Sequence, residues 1–214
     1  MSVSLSNELS NCVSPRNRVT EARQAGERGS RNTALVEQAT LLGLEAIEGN
    51  ALEESVLEAA GADEAETILA VTTNSEVNAL ATHLATDAFG VTRAFPALGR
   101  PEKGAGPRLL ERVGGRIAFG RPINVRSWED AITRGDARFV SYTVPMTVPK
   151  PFRAVMLPDE VIAFARLRGQ SLEVTTTEQL WAPGDVLMLV SRLPETETSG
   201  LLDPIAMGSE SVTA

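Results

Sequence analysis

The feature that most constrains this chain is a continuous apolar and β-branched run, Thr67-Ile68-Leu69-Ala70-Val71-Thr72-Thr73, set between two stretches of helical periodicity. A run of this kind suits a strand covered on both faces, as in a parallel sheet. Upstream, Asn50 and Glu53 have capping-box spacing and open a helix expected over 51–60. Its inward residues would be Leu52, Val56 and Ala59 or Ala60, with Gly61 as the stop. Downstream, Thr73 and Glu76 repeat the spacing before a helix expected over 76–89. Val77, Leu80, Ala81, Leu84 and Ala88 fall on one stripe of it, and Gly90 ends it. Strands are expected at 44–48 and 91–98 and an earlier helix at 33–42. Residues 33–98 therefore read helix, strand, helix, strand, helix, strand, which implies right-handed crossovers and a parallel sheet.

The pattern then changes. Residues 99–107 are a loop by composition, with short elements expected at 109–113 (helix), 116–119 (strand) and 123–133 (helix, around Trp128 and Ile132). Beyond residue 137, short strand-like runs at 139–144, 154–157, 161–167 and 186–190 are broken by Pro145, Pro149, Pro151 and the turn Pro183-Gly184-Asp185. The chain thus divides into a leader (1–31), an alternating α/β segment (32–135), a small β-rich domain (136–193) and a flexible acidic tail (194–214).

Charge follows the same divisions. The net charge of −8 is unevenly spread: residues 32–90 hold eleven acids and no Lys or Arg, whereas 91–193 hold fifteen basic and ten acidic residues. An acidic half repels phosphate backbones, which argues against a nucleic-acid partner. The basic excess of 91–193 is scattered singly, as on a solvated mixed-charge face. No stretch approaches 18 consecutive apolar residues, so direct membrane insertion is not expected. The single cysteine, Cys12, excludes an internal disulfide framework and suits a reducing compartment.

The residues offer little for catalysis. A nucleophile–base arrangement would have to use the one histidine, His83, which lies mid-helix and reads as a surface or rim residue. Cys12 has no identifiable base nearby in sequence, and a Cys/His metal site is not expected. Glu53–Glu54 and Asp63-Glu64-Glu66 sit beside helix ends, where they favour the helix dipole and solubility. Gly104-Ala105-Gly106 lacks the third glycine of a phosphate-binding turn. Asn50 and Asn74 stand at strand-to-helix turns, the edge where open parallel sheets bind ligands; helix capping is the competing role for each.

One stretch resembles a known family. It reads Glu48-Gly49-Asn50-Ala51-Leu52-Glu53, then Val56-Leu57-Glu58-Ala59-Ala60-Gly61, then Ile68-Leu69-Ala70-Val71-Thr72-Thr73-Asn74 and Glu76-Val77-Asn78. In this order and spacing it is similar to the potassium-conductance-regulator domain (RCK, or Trk-type N-terminal domain). There a G-[DN]-A motif follows the third strand and a T-x-x-x-x-N motif follows the fourth. The version at the cytosolic end of sodium/proton antiporters looks closest, because Leu180-Trp181-Ala182-Pro183-Gly184-Asp185-Val186-Leu187 matches its L-x-P-G-D-x-L turn. The resemblance spans about residues 33–193.

The resemblance implies an α/β fold, an incomplete Rossmann-like parallel sheet followed by a small β-rich C-terminal domain. It also implies a non-enzymatic cytoplasmic regulator on the inner face of a monovalent-cation channel or antiporter, acting as a homodimer or docked on the transporter. The positions that match the family's ligand edge are Gly49, Asn50, Ala51, Thr72, Thr73 and Asn74. The implied cofactor is NAD or another adenine nucleotide. The first strand, its glycine turn and the acidic ribose ligand have no counterpart in residues 1–31, so the domain reads as N-terminally truncated and its grip on a dinucleotide as weak. Loss of that strand would leave the 68–73 strand with an exposed edge, to be covered by self-association or a partner. The alternatives are a degenerate nucleotide-binding fragment without activity of its own and an NAD(P)-dependent oxidoreductase.

Overall fold

The computed structural model describes residues 41, 46–99, 116–148, 151–153, 157–198 and 200. The expectations for 1–31, 33–40, 101–113 and 201–214 lie outside these residues. The described chain falls into two compact units, one ending at Ala97 and the other beginning at Leu98. The fold class is α/β, as expected.

In the first unit, helix α1 (Glu54–Ala59) leads to strand β1 (Thr67–Ala70), helix α2 (Ser75–Phe89) and strand β2 (Arg93–Pro96). The two strands pair in parallel, Thr67 opposite Arg93 and Ala70 opposite Pro96. Among the described residues β1 pairs with β2 alone, and its four residues are half-buried. Ala97 extends the ladder, its N–H donating to Ala70 O at 2.8 Å. Residues 46–48, expected to close a strand, are not in one.

The apolar stripes differ from those read in the sequence. On α2 the buried residues are Val77, Asn78, Ala79, Ala81, Thr82 and Ala85, while Leu80 is exposed. The inward face is therefore rotated toward small and polar residues. Alanines let the helix approach the sheet closely, and the two polar side chains find internal partners: Thr82 Oγ1 donates back to Asn78 O at 2.9 Å. On α1, Leu57 and not Leu52 is the buried anchor. It packs with Ala62, Ala85 and Val91 against Ile68, Leu84 and Phe89.

The first helical element of the second unit is a 3-10 turn, Ala118–Gly120, where a strand was expected. Phe119 has φ 66° and Gly120 φ 69°, and two successive left-handed residues cannot continue an extended chain. Helix α3 (Val125–Arg134) follows, capped by Asn124 and closed by Gly135 at φ 77°. Strands β3 (Arg138–Thr143), β5 (Val161–Arg168), β6 (Ser171–Val174) and β8 (Val186–Ser191) form an antiparallel sheet in the order β3-β8-β5-β6. The short strands β4 (Phe152–Arg153) and β7 (Leu180–Trp181) form a second ribbon.

One row across the main sheet, Val140–Leu189–Ala163, shows how alternation builds the core. These side chains join Tyr142, Leu187 and the fully buried Trp181. Phe152 meets Trp181 edge to face, ring centres 5.4 Å apart. The pairing of β5 with β8 shifts between Ala163 and Ala165, a bulge that lets Phe164 meet Phe139 edge to face. Residues 195–198, expected as the start of a tail, form a helical turn whose Thr198 is buried against Ser191, hydroxyl to hydroxyl at 2.7 Å.

Candidate functional site

The six residues singled out by sequence fall at two turns of the first unit: Gly49, Asn50 and Ala51 before α1, and Thr72, Thr73 and Asn74 between β1 and α2. The second turn lies at the carboxyl end of the parallel pair, the edge where such sheets receive ligands.

Gly49 answers to packing. A Cβ built there would stand 2.6 Å from Val56 Cγ1 and 2.9 Å from Cγ2. Asn50 folds its own turn: its Oδ1 accepts from Leu52 N at 3.1 Å and its Nδ2 donates to Glu53 Oε1 at 3.2 Å. The capping-box pair thus meets, but as a turn ahead of the helix, since the N-cap is Glu53. Ala51 is buried.

At the second turn the N-cap is Asn74, one residue later than the Thr73–Glu76 spacing suggested. Its Oδ1 accepts from Glu76 N at 2.9 Å and Val77 N at 3.2 Å. Thr72 Oγ1 accepts from Asn74 N and donates to Asn74 O, both at 3.1 Å. Thr73 is exposed.

Asn78 belongs to the family-like stretch Glu76-Val77-Asn78 but is not among the six positions of the ligand edge. It is fully buried and joins the two strand ends. Its Nδ2 donates to Thr72 O at 3.0 Å and to Ala97 O at 2.7 Å, and its Oδ1 accepts from Thr72 N at 2.8 Å. The signal was present: a polar amide five residues after Thr73, in a helix whose neighbouring positions are small.

A second polar cluster organises the Pro-Gly-Asp turn of the other unit. Asp185 is 1% exposed. It accepts from Arg168 Nε at 2.6 Å, Arg168 Nη2 at 2.7 Å and Ala182 N at 2.8 Å, with Arg166 Nη1 at 3.8 Å. Arg166, buried beneath it, also donates to Leu180 O at 2.7 Å and pairs with Glu173. Burial pushes the Asp185 carboxyl up, but the hydrogen bonds from Arg168 and Ala182 and the two guanidinium charges carry it below its ordinary value. Arg168 is held above its ordinary value, first by its hydrogen bond to Asp185. Two cations and two carboxylates pair here, as a structural brace would, with the buried Arg166 Nε left without a hydrogen-bond partner.

His83 is exposed and pairs one turn on with Asp87 at 3.4 Å. Among the described residues no group of three or more His, Cys, Asp or Glu is placed to hold a metal ion. No helix among them is long and apolar enough to cross a membrane.

Comparison with known proteins fits this architecture. Residues 30–114 match the TrkA-N domain family. The chain is similar to the Trk system potassium uptake protein TrkA of Mycobacterium tuberculosis, in strains CDC 1551 / Oshkosh and ATCC 25618 / H37Rv. Each is 29% identical over 172 residues, which cover 73% of this chain and 77% of that protein. Among solved structures, the crystal structure of the GsuK RCK domain matches 91% of this chain at 14% identity and a TM-score of 0.32. The chain spans about half the length of that structure, 47% of it. Over residues 30–114 the chain is thus similar to the TrkA-N domain family.

Proposed function

We propose that this chain is a cytoplasmic regulatory module of monovalent-cation transport, with potassium the first cation to test. The observation that carries the reading is the TrkA-N match over residues 30–114 together with a potassium uptake protein as relative across 73% of the chain. The module is not itself the transporter and catalyses no reaction. It works as a homodimer or docked on the inner face of a membrane cation transporter. The sodium/proton antiporter setting, drawn from the Pro-Gly-Asp motif, is the finer alternative within the same class.

The test is cation flux in cells lacking the gene for this chain, with rubidium as tracer for potassium, alongside affinity purification of the tagged chain from detergent-solubilised membranes. Altered rubidium uptake and recovery of a cation transporter are expected. Unchanged fluxes of potassium, sodium and protons, with no transporter recovered, would sink the reading.

A further inference from the structure

The family resemblance leads one to look for an adenine nucleotide at the carboxyl edge of β1 and β2. The groups found there do not fit one. A bound pyrophosphate draws on the free amides at a helix N-terminus and on the positive end of the helix dipole. At α2 the amides of Glu76 and Val77 already donate to Asn74 Oδ1. Thr72 exchanges hydrogen bonds with Asn74 and with Asn78, so neither its hydroxyl nor its backbone amide is left for a ligand. At the other turn Asn50 is engaged with Leu52 and Glu53.

Charge acts in the same direction. Residues 46–97 contain nine Asp and Glu against one Arg, Arg93. All nine acids are exposed, and Glu54 and Glu76 occupy the first turns of α1 and α2. A phosphate approaching the start of α2 would meet the Glu76 carboxylate, with the acidic charge of the whole unit behind it, where a nucleotide site presents backbone N–H groups. No G-x-G-x-x-G sequence occurs anywhere in the 214 residues to supply a separate cradle.

We infer that the carboxyl edge of the β1–β2 pair is a closed hydrogen-bond clasp, fastened by Asn78, and does not bind adenine nucleotides. This concerns the fold of the first unit alone. It stands or falls separately from the proposed role in cation transport, whose test is flux.

The test is a titration of the isotopically labelled full chain with ATP, ADP, NAD and NADH, each taken to about 1 mM, the weak end of the affinity scale. Amide resonances of 49–51 and 72–78 are followed by NMR. They are expected to stay in place; saturable shifts there with any of the four nucleotides would overturn the inference. Binding whose shifts lie wholly elsewhere supports it, since a competent ligand then leaves the edge silent. Hydrogen exchange supplies the second arm. The Thr72 amide is expected to be protected in the unaltered chain and to exchange at least tenfold faster in Asn78→Leu, which keeps the size but removes the Oδ1 acceptor of that amide together with the Nδ2 donor. If that variant does not fold, the unaltered chain still decides: a Thr72 amide exchanging as fast as an exposed loop amide rules the clasp out.

Discussion

Asp185 receives both an Nε and an Nη2 hydrogen bond from Arg168, at 2.6 and 2.7 Å, while itself buried to 1% exposure. Arg166 lies against the same carboxylate on the buried side, its Nη1 3.8 Å away. The Pro-Gly-Asp turn is thus locked by two guanidinium groups of β5. Asp185→Ala leaves Arg166 buried with one partner fewer, so the second unit is expected to lose about 3 kcal/mol. Arg168→Ala removes a half-exposed partner and should have the smaller effect. Chemical denaturation of both variants gives the comparison, and equal losses would contradict the ordering.

The same carboxylate sets a pH dependence. Its value in the folded state lies below the ordinary 3.8. The folded protein therefore binds fewer protons at this site than the unfolded chain near that pH. Its stabilisation is fully present above the unfolded value and is lost as pH falls through the folded one. Stability is expected to show no pH dependence from this group between pH 7 and about 5, where its contribution is complete, and to fall below about pH 4. Asp185→Asn should flatten that acid slope. An unchanged slope in the variant would assign acid unfolding to other carboxylates.

Gly49 and Val56 are coupled by space. Gly49→Ala puts a methyl group 2.6 Å from Val56 Cγ1, and overpacking of this kind is expected to cost about 1–3 kcal/mol. Val56→Ala removes the obstructing methyls, so the double variant should be more stable than the sum of the single losses implies. Thermal unfolding of the four-member cycle measures this coupling, and strict additivity would place the strain elsewhere.

Asn124 caps α3 through a 3.0 Å hydrogen bond from Ser127 N to its Oδ1. Asn124→Ala is expected to lose about 1 kcal/mol and Asn124→Ser almost nothing, because a serine hydroxyl can take the same amide. Urea midpoints of the two variants distinguish them.

Sequence patterns made some parts of this molecule easy to read. The Thr67–Thr73 run became β1, shortened to Thr67–Ala70, because at Thr72 the chain turns and its amide bonds Asn78 instead of a neighbouring strand. Helix α2 came within one residue of its expected start, since Gly90 and the acidic first turn are local signals. The residues quoted for the family motif fall at two turns, the first of them without the strand expected to end at 48. The α2 face was misread because periodicity counts Leu80 as core and Asn78 as surface. Only the partners at Thr72 and Ala97, the latter 19 residues away, show why the amide is inside. The 3-10 turn at 118–120 was hidden for a related reason: nothing in the sequence around Phe119 signals a left-handed backbone at a bulky residue. Strand β6 went unseen because its partner β5 and the bracing pair Arg166–Glu173 define it more than its own four residues do.

The Asn78 side chain has one further effect on the first unit. Among the described residues this parallel pairing has two strands, and its register rests on few contacts. A slip of one residue would carry Ala97 O about 3.3 Å along the strand, out of reach of the amide that holds it. It would also turn the Phe95 ring from its buried side toward water. A single internal asparagine therefore works as an alignment pin, acting with the burial of Phe95 to fix which residues of β1 and β2 stand opposite one another.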